Sequence, residues 1–280
     1  MIETFHIENA LKEAYLPIIS NQLNTQIDPF LAKITRTNSD VWGKDIHKLI
    51  RCDDNNPDKF VQCVSELASI YVTIEIPKNI VKTNNAGALV NSINDMMHDM
   101  IETTGKRIRN AFYDEDKVEE PNFKIKLDGI KKIFNLDESL YSVDRKYKVV
   151  QPTKYNNITI DDIIYSIKNS DDDYDFIIAN TDLYRKLQEK GELVQGDDCR
   201  YYSIEGVRLL KAPVEKNKVY LLNSKDFFLH QLCDWKWVSD ETNNILKYNE
   251  ATHKYRVTLV KYCNIICDRP DKQIELEVKE

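Results

Sequence analysis

The sequence predicts an α+β fold, and three stretches carry that prediction. Residues 86–112 place Val90, Ile93, Met97, Met100, Ile101, Ile108, Ala111 and Phe112 at three- and four-residue steps among polar residues, the period of an amphipathic helix. At 1.5 Å per residue that rod is about 40 Å long. In Ile70-Tyr-Val-Thr-Ile-Glu-Ile76 the aliphatic residues alternate instead, as a half-buried strand requires. Residues 158–232 alternate helical and extended patterns, the mark of a small α/β unit.

The elements follow in order. Glu8 to Leu16 forms a short helix that Pro17 stops, since proline has no N–H and its ring crowds the preceding turn. Ile18 to Ile27 resumes a mixed apolar and amide-rich pattern until Asp28-Pro29 breaks it, so residues 8–36 read as short pieces of an arm rather than a compact unit. Residues 41–50 are extended, Cys52-Asp-Asp-Asn-Asn-Pro-Asp58 is a dense turn signal, and 60–76 return as strand. Together they make a hairpin-like excursion. An acidic break, Asp114 to Glu120, follows the long helix, and Gly105 inside that helix weakens it slightly. The chain then runs through Leu127-Asp-Gly-Ile130 to Tyr141-Ser-Val-Asp-Arg145, and Pro152 marks a domain edge. Ile160–Ile167 is a helix, Tyr174–Ala179 a buried strand, and Thr181–Lys190 a helix with Thr181 as N-cap and Gly191 at its end. Ile204-Glu-Gly-Val-Arg-Leu-Leu210 and Lys218-Val-Tyr-Leu-Leu222 are strands. The tail, 235–280, is mostly strand, with alternation in Tyr255–Leu259 and Ile274–Val278.

Composition narrows the function classes. With 280 residues, 42% hydrophobic and 30% charged, the chain is an ordinary globular protein with ample capacity for a core. No apolar run approaches the ~20 residues that span a bilayer, and the amino-terminal Met1-Ile-Glu-Thr-Phe-His6 lacks a signal pattern. A cytoplasmic protein with reduced thiols is expected, so the six scattered cysteines read as packed thiols rather than a disulfide framework. The net charge of −7 and a pI near 5.4 argue against tight nucleic-acid gripping.

No catalytic, cofactor or metal constellation emerges. Asp171-Asp-Asp-Tyr-Asp175 lacks the spacing and turn glycine of an ordered cation loop and reads as a solvated acidic turn. Cys263-Asn-Ile-Ile-Cys267 has no second ligand pair and reads as packed strand thiols. The five histidines share no motif, no nucleophile elbow is present, and seven glycines form no phosphate-cradling loop. Met96, Met97 and Met100 read as core, and Asp234-Trp-Lys-Trp237 as structural packing rather than a base-stacking platform.

Several ordered motifs remain. They are Ala10-Leu-Lys-Glu-Ala-Tyr-Leu16, Gln22-Leu-Asn24, Asp28-Pro-Phe-Leu-Ala-Lys-Ile34 and Val41-Trp-Gly-Lys-Asp45. Tyr71-Val-Thr-Ile-Glu-Ile76 then leads into Ala86-Gly-Ala-Leu-Val90, followed by Leu127-Asp-Gly-Ile-Lys-Lys-Ile-Phe134, Leu140-Tyr-Ser-Val-Asp-Arg145 and Tyr255-Arg-Val-Thr-Leu259. In this order and spacing the chain resembles the major capsid proteins of tailed bacteriophages, with their Hong Kong 97-like capsid fold. The resemblance implies an N-terminal arm (1–40), an extended loop (41–76), a peripheral domain (77–150 and 235–280) with spine helix 86–112, and an axial domain (151–234). It implies a non-enzymatic subunit, without cofactor or metal, that self-assembles into hexamers and pentamers of an icosahedral head. The shell would enclose double-stranded DNA without reading its sequence, in the virion, after assembly in the host cytoplasm and without a membrane. Phe30, Trp42 and Tyr71 become candidate inter-subunit contacts. The sequence departs from the family in a short, glycine-free loop tip at Arg51–Phe60, so no cross-linking residue is assigned. The matching begins near residue 8, which implies a separate scaffolding protein beside the portal. Two other readings stay open: an encapsulin-like nanocompartment shell, and a small α/β enzyme or ligand-binding domain with strand-rich extensions.

Overall fold

A computed structural model of the chain describes residues 2–38, 40–51, 60–81, 86–114, 118–120, 122–134, 153–155, 158–170, 172–196 and 199–278. Helices α1 (Ile2–Asn9) and α2 (Leu16–Thr25) are joined without a break by a π-helical turn, Ala10–Tyr15. Pro17 therefore does not end the first helix. The wider π-turn lets Leu16 N–H bond the Leu11 carbonyl five residues back, and Pro17 falls in the opening turn of α2, where a missing N–H costs little.

Asp28 begins α3 (Pro29–Lys33), accepting hydrogen bonds from the backbone N–H groups of Phe30 and Leu31. Next come β1 (Thr35–Thr37), β2 (Val41–Trp42), β3 (Asp45–Arg51) and β4 (Phe60–Glu66). Strands β3 and β4 pair antiparallel from Asp45↔Glu66 to Arg51↔Phe60, and with β2 form a three-stranded sheet of their own. This is the expected excursion; the turn Cys52–Asp58 lies outside the described residues. Strand β5 (Ala68–Pro77) alternates buried and half-buried positions as its sequence predicts, and α4 (Lys78–Val81) leads to α5 (Ala86–Asp114), the expected long helix. Then follow β6 (Val118–Glu120), β7 (Phe123–Ile125) and α6 (Ile130–Phe134). Tyr141–Arg145 and the Pro152 boundary lie outside the described residues.

The remainder comprises β8 (Thr153–Tyr155), α7 (Ile160–Lys168), β9 (Phe176–Ala179), α8 (Thr181–Gln188), β10 (Glu192–Gln195), β11 (Arg200–Ile204) and β12 (Val207–Lys211). After them come β13 (Lys218–Leu222), β14 (Phe227–Gln231), β15 (Lys236–Trp237), β16 (Lys247–Asn249), β17 (Lys254–Cys267) and β18 (Ile274–Val278). Two local expectations change. The cap of α8 is Asn180, whose side chain accepts from Asp182 and Leu183 N–H, one residue earlier than expected. The run Ile204–Leu210 is not one strand but a tight hairpin, because Glu205 (φ 50) and Gly206 (φ 81) both adopt the left-handed conformation of a two-residue turn.

An eight-stranded sheet has the order β1-β14-β17-β5-β7-β6, with β15 and β16 also on β17; a seven-stranded sheet has the order β10-β11-β12-β9-β13-β18-β8. These memberships cut across the expected division of the chain. Strand β14, in the expected axial segment, joins the eight-stranded sheet beside β17, and β18, in the expected peripheral tail, joins the seven-stranded sheet between β13 and β8. Strand β5, expected in the loop, is central to the eight-stranded sheet. Sequence-contiguous segments could not reveal this, because pairing is decided by which hydrophobic faces meet.

Those faces are clear. Buried Ile93, Met97, Met100, Ile108, Ala111 and Phe112 of α5 pack with Ile70, Val72, Ile74 and Ile76 of β5. The methionines are thus core residues, as read from their spacing. Strand β9 is buried at all four positions. Phe176 and Ile178 face this main core, while Ile177 and Ala179 face a second one with Ile163 of α7 and Leu183 and Leu187 of α8. A strand covered on both faces needs a continuous apolar run, which Phe176-Ile-Ile-Ala179 supplies.

Candidate assembly surfaces

The amino-terminal helices do not form a free arm. Ile7, Leu11, Ile19 and Leu23 are buried in the main core. Glu8 Oε1 accepts from Ile245 and Leu246 N–H at 3.0 and 2.9 Å, and the Trp237 indole donates to the Leu11 carbonyl at 2.9 Å. Asp234 is the second clamp, accepting from Ser20 Oγ at 2.7 Å, Asn24 Nδ2 at 3.1 Å and Lys261 Nζ at 3.1 Å. Trp235 and Trp237 are both buried, so their role is packing.

Burial by itself would raise the Asp234 pKa, but hydrogen bonds from Asn24 and Ser20 and the charge of Lys261 outweigh it and hold the carboxyl at about 2. A carboxyl held below its unfolded value stabilises the fold above that value and loses the contribution as pH falls toward the folded one. Between about pH 4 and 2 the clamp should therefore weaken. In acid titrations followed by tryptophan fluorescence, Asp234→Asn should be less stable than the parent at pH 6 and should lose less stability over that window. Parallel curves would refute the assignment.

The β3–β4 hairpin is tied down at its base. Lys48 Nζ pairs with Asp268 at 2.7 Å and lies over the Phe228 ring at 4.0 Å. Below it, Asn264 Nδ2 donates to Ser65 Oγ at 2.9 Å and to Asp128 Oδ2 at 2.7 Å, while Asn264 Oδ1 accepts from Asp128 N–H at 2.9 Å. Lys132 caps this buried network on Asp128 at 2.6 Å. A polar cluster satisfied in this way fixes where the hairpin leaves the body, and the strands beyond it carry the excursion outward.

The three candidate contact residues fall in different places. Phe30 is fully buried within its own chain, its ring 5.0 Å from Phe227, 5.5 Å from Phe176 and 5.8 Å from Phe112. It is a core residue and not a contact for a neighbour. Its three partners come from β14, β9 and α5, all distant in sequence. Tyr71 is half-buried on the outer face of β5, its hydroxyl 2.7 Å from that of Tyr262; that bond, with burial, pushes its pKa up to about 12. Trp42 lies in β2, and its side chain is outside the description.

Exposed apolar side chains mark other surfaces. Tyr165 on α7 is 66% exposed and Leu193 on β10, the edge strand of the seven-stranded sheet, 55%. The sequence pattern gave no sign of either, since apolar spacing alone does not tell an exposed residue from a buried one.

Asp175 accepts from Ser224 N–H at 2.8 Å and pairs with Lys33 at 2.9 Å, and Asp172 pairs with Lys272. Asp172 and Asp175 are thus built into the fold, whereas Asp173 is exposed as the solvated-turn reading expects. Cys263 and Cys267 are buried in β17, and burial pushes the Cys263 thiol up to about 11. An open cleft of about 910 Å³ lies between α3 and β10–β12. The carboxylates lining it, Asp28 and Asp175, are committed to Arg109 and Lys33. Among the described residues no cluster of three or more His, Cys, Asp or Glu side chains could hold a metal ion, and no helix is long and apolar enough to cross a membrane.

No protein-family model and no curated protein sequence matches the chain. Solved structures do. The capsid of an empty GTA particle superposes with a TM-score of 0.61 at 8% identity, over 91% of each chain. A virus-like particle from Pyrococcus furiosus gives 0.54 at 11% identity, over 97% of this chain and 99% of that one. The SrpI encapsulin of Synechococcus elongatus gives 0.53 at 14% identity, over 90% and 88%. The chain has the Hong Kong 97-like capsid fold.

Proposed function

We propose that this chain is the major capsid protein of a tailed bacteriophage, a subunit that self-assembles into the icosahedral head around double-stranded DNA. The observation that carries the reading is the match of nearly the whole chain, end to end, to the subunits of closed particles. The seven-stranded sheet with α7 and α8 is read as the axial domain, with Tyr165 and Leu193 facing neighbouring copies around the shell axes. The eight-stranded sheet with α5 is the peripheral domain, the β3–β4 hairpin the loop that overlaps the adjacent subunit, and Trp42 on β2 and Tyr71 on β5 are read as further contacts. A hairpin rooted in a satisfied polar network is suited to that reach. A net charge of −7 suits a wall that must not bind its packaged DNA tightly. Portal and scaffolding proteins are the expected partners, and the subunit itself is read as non-catalytic.

The encapsulin match favours a second reading, a nanocompartment shell around a protein cargo. Electron microscopy of particles formed by the chain with its neighbouring genes separates the two. Closed shells holding nuclease-protected double-stranded DNA are expected. Shells filled with one protein would establish the second reading, and persistent small species would overturn both.

A further inference from the structure

Asn24, Asp234 and Lys261 form a closed triangle of side chains from three parts of the chain: α2, the link between β14 and β15, and β17. Lys261 Nζ donates to Asn24 Oδ1 at 2.9 Å and to Asp234 Oδ1 at 3.1 Å. Asn24 Nδ2 donates to both oxygens of Asp234 at 3.1 Å, and Ser20 Oγ holds the same carboxylate at 2.7 Å. The carboxamide is thereby oriented, its oxygen toward the lysine and its nitrogen toward the carboxylate. The Lys261 side chain is only 3% exposed, with Nζ 5.5 Å from the Trp235 ring and buried Leu23, Ile34 and Ile265 lining the same pocket. Asp234 is half-exposed and gives the triangle a way to solvent.

Ion pairing accounts for a lysine beside an aspartate, but not for a carboxamide held between them by both of its ends. An amine in contact with an oriented amide, with one carboxylate touching both nitrogens, is what amide exchange requires. We propose that Lys261 and Asn24 join in an isopeptide bond within one chain, with Asp234 carrying the protons. Lys261 passes a proton to Asp234, and the free amine attacks Asn24 Cγ to form the Nζ–Cγ bond. Asp234 delivers that proton to Nδ2 and takes up the second one from Nζ. The Cγ–Nδ2 bond then breaks as Oδ1 regains its double bond, and the nitrogen leaves with the second proton as ammonium. One lysine ammonium and one carboxamide thus become one secondary amide and one ammonium, with no oxidant or co-reactant. Asp234 is held at about 2, so the first transfer is uphill and the reaction slow. It quickens as pH rises, because only the free amine attacks. The other charged or titratable neighbours are Arg36 of β1, Cys233 and Cys263, whose thiol burial keeps protonated, at about 11. The bond joins residues 237 apart in sequence and ties the amino-terminal segment to the strand around which the eight-stranded sheet is organised.

The test is intact-mass measurement of the full-length chain, aged at neutral and at alkaline pH. The parent should lose the mass of one ammonia, faster at alkaline pH. Its tryptic digest should contain one branched peptide joining the segments that hold Asn24 and Lys261, and the looped chain should run ahead of the linear one on denaturing gels. Asp234→Asn should slow the loss at least about tenfold, and Lys261→Arg, which keeps the charge, should abolish it. If a variant fails to fold, the digest of the parent still decides. A parent whose mass stays constant, or rises as Asn24 hydrolyses to aspartate, would overturn the proposal. So would an ammonia loss that maps to another pair or to a succinimide at Asn24.

Discussion

Replacing Phe30 with alanine is expected to destabilise the chain by about 3–5 kcal/mol, the range for truncating a buried phenylalanine. The ring has no exposed surface and meets Phe112 of α5, Phe176 of β9 and Phe227 of β14. The change therefore opens a hole where the long helix and both large sheets meet. α3, which carries Phe30, is only five residues long and has little helix propensity of its own to hold it in place. Urea denaturation of the unassembled chain measures the effect. A loss below about 1 kcal/mol, the scale of a change at a well-tolerated site, together with defective assembly, would return Phe30 to the role of an interface anchor.

Asp28→Ala should have an effect of similar size, about 3–5 kcal/mol, because it removes one partner of a buried charged pair. Asp28 Oδ2 lies 3.0 Å from Arg109 Nε, and Oδ1 takes the Tyr113 hydroxyl at 3.0 Å as well as the two backbone N–H groups that open α3. Arg109 also donates to the Lys211 carbonyl at the end of β12, so losing Asp28 loosens the link from α5 to the seven-stranded sheet. The pH dependence has a definite sign. Burial raises the Asp28 pKa above its unfolded value, despite the lowering influence of Arg109 and of the hydrogen bonds. Its contribution is then complete below the unfolded carboxyl pKa and declines as pH rises through the folded one. Asp28→Asn, which cannot titrate, should therefore differ most from the parent in acid and less at neutral pH. Urea midpoints collected across that range test this. A gap that widens with pH would mean that the Arg109 pairing outweighs desolvation.

The local elements were legible because each carries its period in its own residues. The apolar steps from Val90 to Phe112 mark α5, the alternation from Ile70 to Ile76 marks β5, and the two extended runs around Cys52–Asp58 mark β3 and β4. Misreadings arose where one residue's meaning depends on a distant partner. Pro17 looks like a helix stop until the π-turn before it is seen. Phe30 is a candidate contact only through the resemblance, and its true partners Phe112, Phe176 and Phe227 are distant in sequence. Glu205-Gly206 looks like strand interior, although a glycine flanked by aliphatic residues is equally the signature of a tight turn. The exposed apolar positions were least legible. Tyr165 and Leu193 are ordinary apolar residues in sequence, and only burial separates them from the core.

The strand order has a consequence for how the chain comes to be made. The eight-stranded sheet is organised around β17 and the seven-stranded sheet needs β18 to join β8 to β13, yet these two strands fall among the last residues described. During translation the growing polypeptide holds β5 and β9 long before their sheets can close. Neither half can complete itself first, so the usual amino-terminal-first order of domain folding is closed to this chain. Pairings of such long sequence separation also slow the search for the native state. Both sheets therefore stay open in a newly made molecule until β17 and β18 are out of the ribosome.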